Sequence, residues 1–192
     1  MSLVERVAVL VAIVLGLALA ELGTSFHRLI RAGKRVQWDW MSPALGFLML
    51  LETIQFWWLS QAWYANATEL RLIDFLPRLL LLLLIYLLAA AVLPDEVPEG
   101  GINLRAFYVE TSRYFWSLVS LLTLSIMIFL VPTSAGADYL GGLLRHELLD
   151  GFVLLVAIAA LYVRNIRVQQ AAVVIIVAST SWIYVFSGRA FH

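Results

Sequence analysis

The stretch LETIQFWWLSQAW, from Leu51 to Trp63, is apolar enough to lie inside a lipid bilayer, yet it contains a glutamate. Glu52 is followed at i+3 by Gln55, so the two side chains share one face of a helix. A charged side chain at the bilayer centre costs about 2.5–3.5 kcal/mol on insertion scales, which confines such residues to the protein interior. The stretch therefore predicts a membrane helix whose polar position faces other helices.

The composition of the whole chain agrees with this interpretation. Of 192 residues, 62% are hydrophobic and 14% are charged, and the mean hydropathy is +0.91. One soluble core of this length could not bury so much apolar surface, so the sequence predicts an integral membrane protein. The formal net charge of zero argues against a nucleic-acid partner, and the absence of cysteine excludes disulfides, thiol catalysis and cysteine-bound metals.

Six stretches are long enough to cross a hydrocarbon core about 30 Å thick, which takes roughly 20 apolar residues. They lie at about 4–27, 43–65, 71–93, 114–132, 144–163 and 168–187. The connections between them are too short for a soluble domain. We therefore predict an all-α fold, a polytopic membrane protein with a bundle of six transmembrane helices in a single domain, 1–192.

The basic residues of the predicted connections fall on one side of the membrane. Connections 28–42, 94–113 and 164–167 contain Arg28, Arg31, Lys34, Arg35, Arg105, Arg113, Arg164 and Arg167. Lys and Arg in short loops favour the cytoplasmic side. We therefore expect a multi-pass protein of the cell membrane, the inner membrane if the host is a Gram-negative bacterium, with both termini outside.

Small residues recur at every fourth position of the first stretch. They are Ala8, Ala12, Gly16, Ala20 and Thr24. Such a stripe lets two helices approach closely, which predicts a packing seam within the chain or between copies of it. The same stretch contains Ala18-Leu19-Ala20, a pattern typical of signal-peptidase sites, but Glu5 beside Arg6 removes the usual basic flank. We expect a retained span, with a cleaved signal as the alternative.

The segment HRLIRAGKRVQWDW, from His27 to Trp40, combines cations with tryptophans. Cations attract anionic head groups, and tryptophan rings favour the membrane interface. We expect the lipid head groups to be contacted by Arg28, Arg31, Lys34, Arg35, Trp38 and Trp40. Anchoring of the topology is the simplest role, and a regulatory site for an anionic lipid or a partner is the alternative.

Other ionisable residues lie near Glu52 in the predicted bundle. Asp74 and Arg78 stand at i,i+4 around Pro77, a spacing that allows an ion pair within one helix. By helix rise, the long Arg78 side chain could also reach the level of Glu52. The candidate intramembrane site is therefore Glu52, Gln55, Asp74 and Arg78. Glu52 either holds helices together through a hydrogen bond or handles a proton or cation.

Two further sets of polar residues are secondary candidates. Ser117 and Ser120 follow one face of the fourth stretch, where hydroxyls either pack helices together or line a polar cavity. His146 and Asp150 stand at i,i+4 at the outer end of the fifth stretch, a pair that can move protons but is also common at helix ends. The sequence contains no phosphate loop, nucleophile motif or metal-ligand motif, so we predict no catalytic residue, metal or cofactor.

Three stretches, HRLIRAGKRV, LETIQFWW and NLRAFYVETSRYFW, resemble a group of uncharacterised bacterial six-span inner-membrane proteins. The resemblance implies the six-span fold over nearly the whole chain, but it brings no activity. Two functions therefore stay open: a small transporter, channel or proton-linked permeation module centred on Glu52, or a non-catalytic scaffold or lipid- or partner-binding subunit. An intramembrane enzyme has the least support. The expected partners are the bilayer, anionic lipids and a second copy of the chain.

Overall fold

The computed structural model describes residues 3–62, 72–129 and 139–186, with side chains at 7–58, 60, 73, 75–129 and 148–181. This part of the chain forms six helices, which confirms the predicted all-α class. They are α1 Leu3–Ala32, α2 Met41–Ala62, α3 Leu72–Ala91, α4 Leu104–Phe129, α5 Tyr139–Tyr162 and α6 Ile166–Phe186. Each helix packs against its neighbours in sequence, and α1 also packs on α3 and α2 on α6.

Three of the described connections meet at one end of the bundle, where α1, α3 and α5 end and α2, α4 and α6 begin. A side-chain oxygen caps the start of each of these last three helices. Asp39 Oδ1 accepts a hydrogen bond from the Met41 amide, and Asn165 Oδ1 accepts one from the Arg167 amide, both at 3.0 Å. Asn103 Oδ1 accepts two, from the amides of residues 105 and 106, at 3.0 Å. We call this end the connection end.

A short parallel sheet joins two connections at this end. It consists of β1, Val36–Gln37, and β2, Ile102–Asn103. The Asn103 amide group donates a hydrogen bond to Gln37 Oε1 at 2.7 Å. The connection between α1 and α2 is thereby fixed to the one between α3 and α4.

Two of the predicted connections are shorter in the structure than the sequence pattern indicated. Helix α1 continues beyond residue 27 to Ala32, and α4 begins at Leu104 rather than near 114. The reason is burial at helical spacing, because Leu29 and Ala32 in α1, and Leu104 and Tyr108 in α4, all face the core. These two helices therefore extend beyond the predicted spans.

Two stretches of helix, Val7–Arg35 with its terminal 3-10 turn and Leu104–Phe129, are long and apolar enough to cross a membrane by length and composition. Shorter apolar helices within the described residues are Phe75–Ala91, Leu148–Tyr162 and Ile166–Ser181. A core helix of a soluble protein or a signal sequence can have the same length and composition, so these features give weak support to a membrane location.

The buried apolar residues form two clusters. The larger cluster includes Met41, Leu93, Leu104 and Trp116 and lies toward the connection end. The smaller cluster lies farther from that end, where Phe56 of α2 packs with residues of α1 and α3. Glu52 precedes Phe56 by about one turn of α2, so the candidate polar site lies beside this smaller cluster.

Candidate functional site

Glu52 and Gln55 lie half-buried on α2. Glu52 takes part in an electrostatic or hydrogen-bonding interaction, so its carboxyl group is not isolated. The neighbouring Thr53 is buried and donates its hydroxyl hydrogen to the Met49 carbonyl at 2.7 Å. In this part of α2, the Thr53 hydroxyl bonds to its own helix, and the Glu52 and Gln55 side chains are half-buried.

Arg78 is also half-buried, on α3, and it too has an interaction partner. Leu82 follows Arg78 by four residues, as Phe56 follows Glu52, and Phe56 and Leu82 belong to the same cluster. Because α2 and α3 run in opposite directions, Glu52 lies toward the connection end from Phe56, whereas Arg78 lies farther from that end than Leu82. A direct Glu52–Arg78 contact stays a prediction. The Asp74 side chain lies outside the described residues, so its pairing with Arg78 stays one too.

The hydroxyl groups of α4 bond to their own helix. Ser117 donates to the Tyr114 carbonyl at 2.7 Å, and Ser120 donates to the Trp116 carbonyl at 2.8 Å. Thr123 repeats the pattern at 2.9 Å with the carbonyl four residues before it. Ser117 is exposed and Ser120 half-buried, so the two predicted candidates differ in environment. Each hydroxyl hydrogen already has a backbone acceptor, which is the usual arrangement for serine and threonine inside a helix.

Of the other predicted pair, Asp150 is half-buried and has an interaction partner, whereas the His146 side chain lies outside the described residues. Their predicted pairing therefore has no structural test. Within the described part of the chain, no group of three or more His, Asp or Glu side chains could hold a metal ion.

The small-residue stripe of α1 lies on the exposed side of the helix in the part of the chain that the structure describes. Ala12, Gly16, Ala20 and Thr24 are exposed, Ala8 is half-buried, and a Cβ added at Gly16 would meet nothing within 4 Å. The buried face of α1 is formed instead by Val7, Val11, Leu15, Ala18, Leu22, Ser25 and Leu29. A seam between copies stays a prediction.

The most complete polar arrangement in the described structure involves residues that the sequence analysis did not select. The buried Gln169 of α6 accepts two hydrogen bonds through Oε1, from Tyr108 OH and Trp116 Nε1, both at 2.8 Å. Trp116 Nε1 also lies 3.2 Å from Tyr108 OH. Gln169 Nε2 donates to the carbonyls of Ala160 and Val163 at 2.6 and 2.7 Å. We call Gln169, Tyr108 and Trp116 the glutamine cluster.

The chemistry of this cluster is structural. Ala160 lies in the last turn of α5 and Val163 directly follows its last residue, where backbone carbonyls lack partners within the helix. One carboxamide supplies those missing donors and accepts from two aromatic side chains of α4, so it joins α4, α5 and α6. A sequence signal for it exists, because Gln169 lies at helical spacing with the buried Ala172, Val173 and Ile176.

The predicted head-group residues lie at the connection end. Arg28, Arg31, Lys34 and Arg35 are all exposed, as are Trp38 and Trp40. Arg28 Nη1 donates a hydrogen bond to the backbone carbonyl of Asp95, which joins the end of α1 to the connection after α3. Arg28 is therefore engaged within the protein, while its three basic neighbours extend from the bundle.

Comparison with known proteins assigns no family. No family model, curated protein or solved structure matches the chain. The function is therefore inferred from the geometry of the chain itself.

Proposed function

We propose that this chain is a six-span membrane protein that acts as a non-catalytic scaffold in the bilayer. The apolar surface supports the membrane location. Ile73, Leu155 and Leu148 are 75%, 68% and 71% exposed, and α1 adds Ile13 and Leu17 at 54% and 55%. Large apolar side chains presented outward from several helices fit contact with lipid better than contact with water.

One observation carries the scaffold role: at the connection end, two connections are fixed to each other and the third is fixed to α4. Arg28 bonds to the Asp95 carbonyl, β1 pairs with β2, and Gln169 joins the third connection to α4. A transporter that alternates its access must let groups of helices move apart. Contacts that hold all six helices at one end favour a rigid module instead.

The orientation proposed for this module keeps the connection end in the cytoplasm and both termini outside. The basis is the placement of eight Lys and Arg residues in the connections of that end. The resemblance to six-span bacterial membrane proteins fits the same arrangement and adds no activity to it.

A second candidate function is proton-linked permeation through Glu52. The observation that favours it is the half-buried Glu52 about midway along α2, which has an interaction partner in the structure. Intramembrane ionisable residues commonly mark ion or proton pathways. Against it, Ser117, Ser120 and Thr123 use their hydroxyl hydrogens within α4 and do not continue a polar path from Glu52.

One pair of measurements tests the proposal. Membranes from expressing cells are extracted with alkaline carbonate, and we expect the chain to stay in the membrane pellet. The purified chain is then reconstituted in liposomes loaded with a pH-sensitive dye. We expect proton leak equal to that of protein-free liposomes. A leak above that level that Glu52→Gln abolishes would replace the scaffold with the permeation module, and extraction by carbonate would overturn the membrane assignment itself.

A further inference from the structure

The end of α1 and the segment after it form an exposed surface. Its aromatic and basic side chains lie at different levels along the axis of α1. Helix α1 ends at Ala32, and Gly33, with φ of 54°, begins a tight turn over Gly33–Arg35. The chain then returns along α1, so that the Trp38 ring lies 6.4 Å from the Phe26 ring, centroid to centroid, at 50° between their planes.

This reversal of the chain direction sets the level of Trp38 along the α1 axis relative to the cations. Phe26 precedes Ala32 by six residues, which is about 9 Å of helix rise. The Trp38 ring, which lies against Phe26, is therefore nearer the middle of α1 than the turn that contains Lys34 and Arg35. Trp38 and Trp40 are 50% and 44% exposed, and Ile30, about one turn after Phe26 on α1, is 60% exposed.

This surface carries three cations, and exposed acidic residues lie in the connection that is paired with it. Arg31, Lys34 and Arg35 are exposed. The nearest acidic residue in the sequence, Asp39, caps α2 through its carboxylate. Asp95, Glu96 and Glu99 lie in the connection after α3, where the Asp95 carbonyl already holds Arg28. Three exposed cations thus lie close in sequence to the exposed Trp38 and Trp40 rings.

We propose that this surface, consisting of Phe26, Ile30, Arg31, Lys34, Arg35, Trp38 and Trp40, binds the head groups of anionic phospholipids. Tryptophan rings favour the boundary between acyl chains and head groups, and cations attract anionic head groups just beyond it. The level of Trp38 relative to Lys34 and Arg35 matches that order, with this ring toward the bilayer and these two cations toward water. The inference rests on the proposed membrane location and adds to it a lipid class and a binding surface.

The test uses the full chain purified in a neutral detergent. Its thermal unfolding is followed while short-chain phosphatidylglycerol, phosphatidylcholine or inorganic phosphate is added. A ligand that binds only the folded state raises the unfolding temperature. We expect phosphatidylglycerol to raise it by several degrees, and the neutral lipid and free phosphate to leave it nearly unchanged. High salt should remove most of the shift because it screens exposed charges.

Two charge-removing variants locate the site. Arg31→Gln/Lys34→Gln/Arg35→Gln should weaken the apparent affinity for phosphatidylglycerol roughly tenfold or more, since each cation contributes to attraction of the head group. Arg164→Gln/Arg167→Gln removes two exposed cations of another connection at the same end and should keep most of the wild-type response.

Equal shifts with both lipids, or an unchanged response in the triple variant, would overturn the inference. If the triple variant does not fold, the salt dependence of the wild-type shift still decides, because a salt-insensitive shift contradicts a charge-based surface. Carbonate extraction of the wild-type chain separates this failure from that of the proposed function. If the chain stays in the membrane pellet but shows no lipid preference, the membrane location stands and only the proposed lipid-binding surface is overturned.

Discussion

The Trp116 indole donates its hydrogen to Gln169 Oε1 at 2.8 Å, across 53 residues of sequence, in the buried core. Tyr108 donates to the same oxygen, and the Gln169 amide group donates to two carbonyls at the end of α5. Every hydrogen-bonding group of this carboxamide is therefore used. A buried polar group that is fully satisfied fixes how the surrounding helices meet.

Replacing Gln169 by leucine should destabilise the protein by about 2–4 kcal/mol, because buried donors and carbonyls lose their partners. The measurement is denaturant unfolding of the purified chain in detergent. Gln170→Leu is the matched control, since Gln170 is adjacent and half-buried. We expect the control to change stability by less than about 1 kcal/mol. Equal losses in the two variants would contradict the structural role of the glutamine cluster.

Gly101 should be intolerant of alanine. Its φ is 87°, and an added Cβ would lie 2.5 Å from the Arg35 carbonyl oxygen, where β1 approaches β2. Gly101→Ala should therefore lower stability by about 2 kcal/mol or more, combining the left-handed backbone penalty with displacement of backbone. Gly100→Ala is the control, because its Cβ would meet nothing within 4 Å and its φ is not positive. Similar melting temperatures for both variants would contradict the paired strands.

The sequence predicted the helices better than their contacts. Apolar length alone located six helices, because each needs a long hydrophobic run. The sequence pattern placed the start of α4 near residue 114, because charged residues such as Arg105 and Arg113 are typical of a connection between spans. The structure begins the helix at Leu104, because Leu104 and Tyr108 are buried at helical spacing. The role of Gln169 was not predicted, because its partners lie 53 and 61 residues away in the sequence. A local pattern of apolar residues carries no information about such distant contacts.

The face of α1 gives a third prediction, in which two neighbouring substitutions should behave differently. Gly16→Leu places a side chain in open space in the single chain, so its stability should not fall. Ala18→Leu adds volume at a fully buried position and should cost about 1–3 kcal/mol. Unfolding and light scattering in detergent measure stability and oligomeric state. A loss of oligomers in Gly16→Leu alone would identify the stripe as a contact between copies.

Glu52 gives a fourth prediction. Glu52→Gln keeps the shape and hydrogen bonding of the side chain, so the melting temperature should stay close to that of the parent. Glu52→Leu removes the polar group from an interaction that it makes, and should destabilise the fold by about 1–3 kcal/mol. Thermal unfolding of both variants in detergent provides the comparison. A Leu variant as stable as the parent would show that the carboxyl group does not hold helices together.

The orientation of the chain can be tested with single cysteines, because the chain contains none of its own. The connections at the connection end are held together by the Arg28, Gln37 and Gln169 contacts, so one accessible position there reports the side on which all three lie. Glu99 suits this purpose because it is exposed, whereas Asn103 caps α4 and should be left intact. An impermeant thiol reagent applied to intact cells should label Ser2→Cys and should label Glu99→Cys only after permeabilisation. The basic residues of that end favour the cytoplasmic side. Labelling of Glu99→Cys but not of Ser2→Cys in intact cells would reverse the orientation and place the basic surface outside.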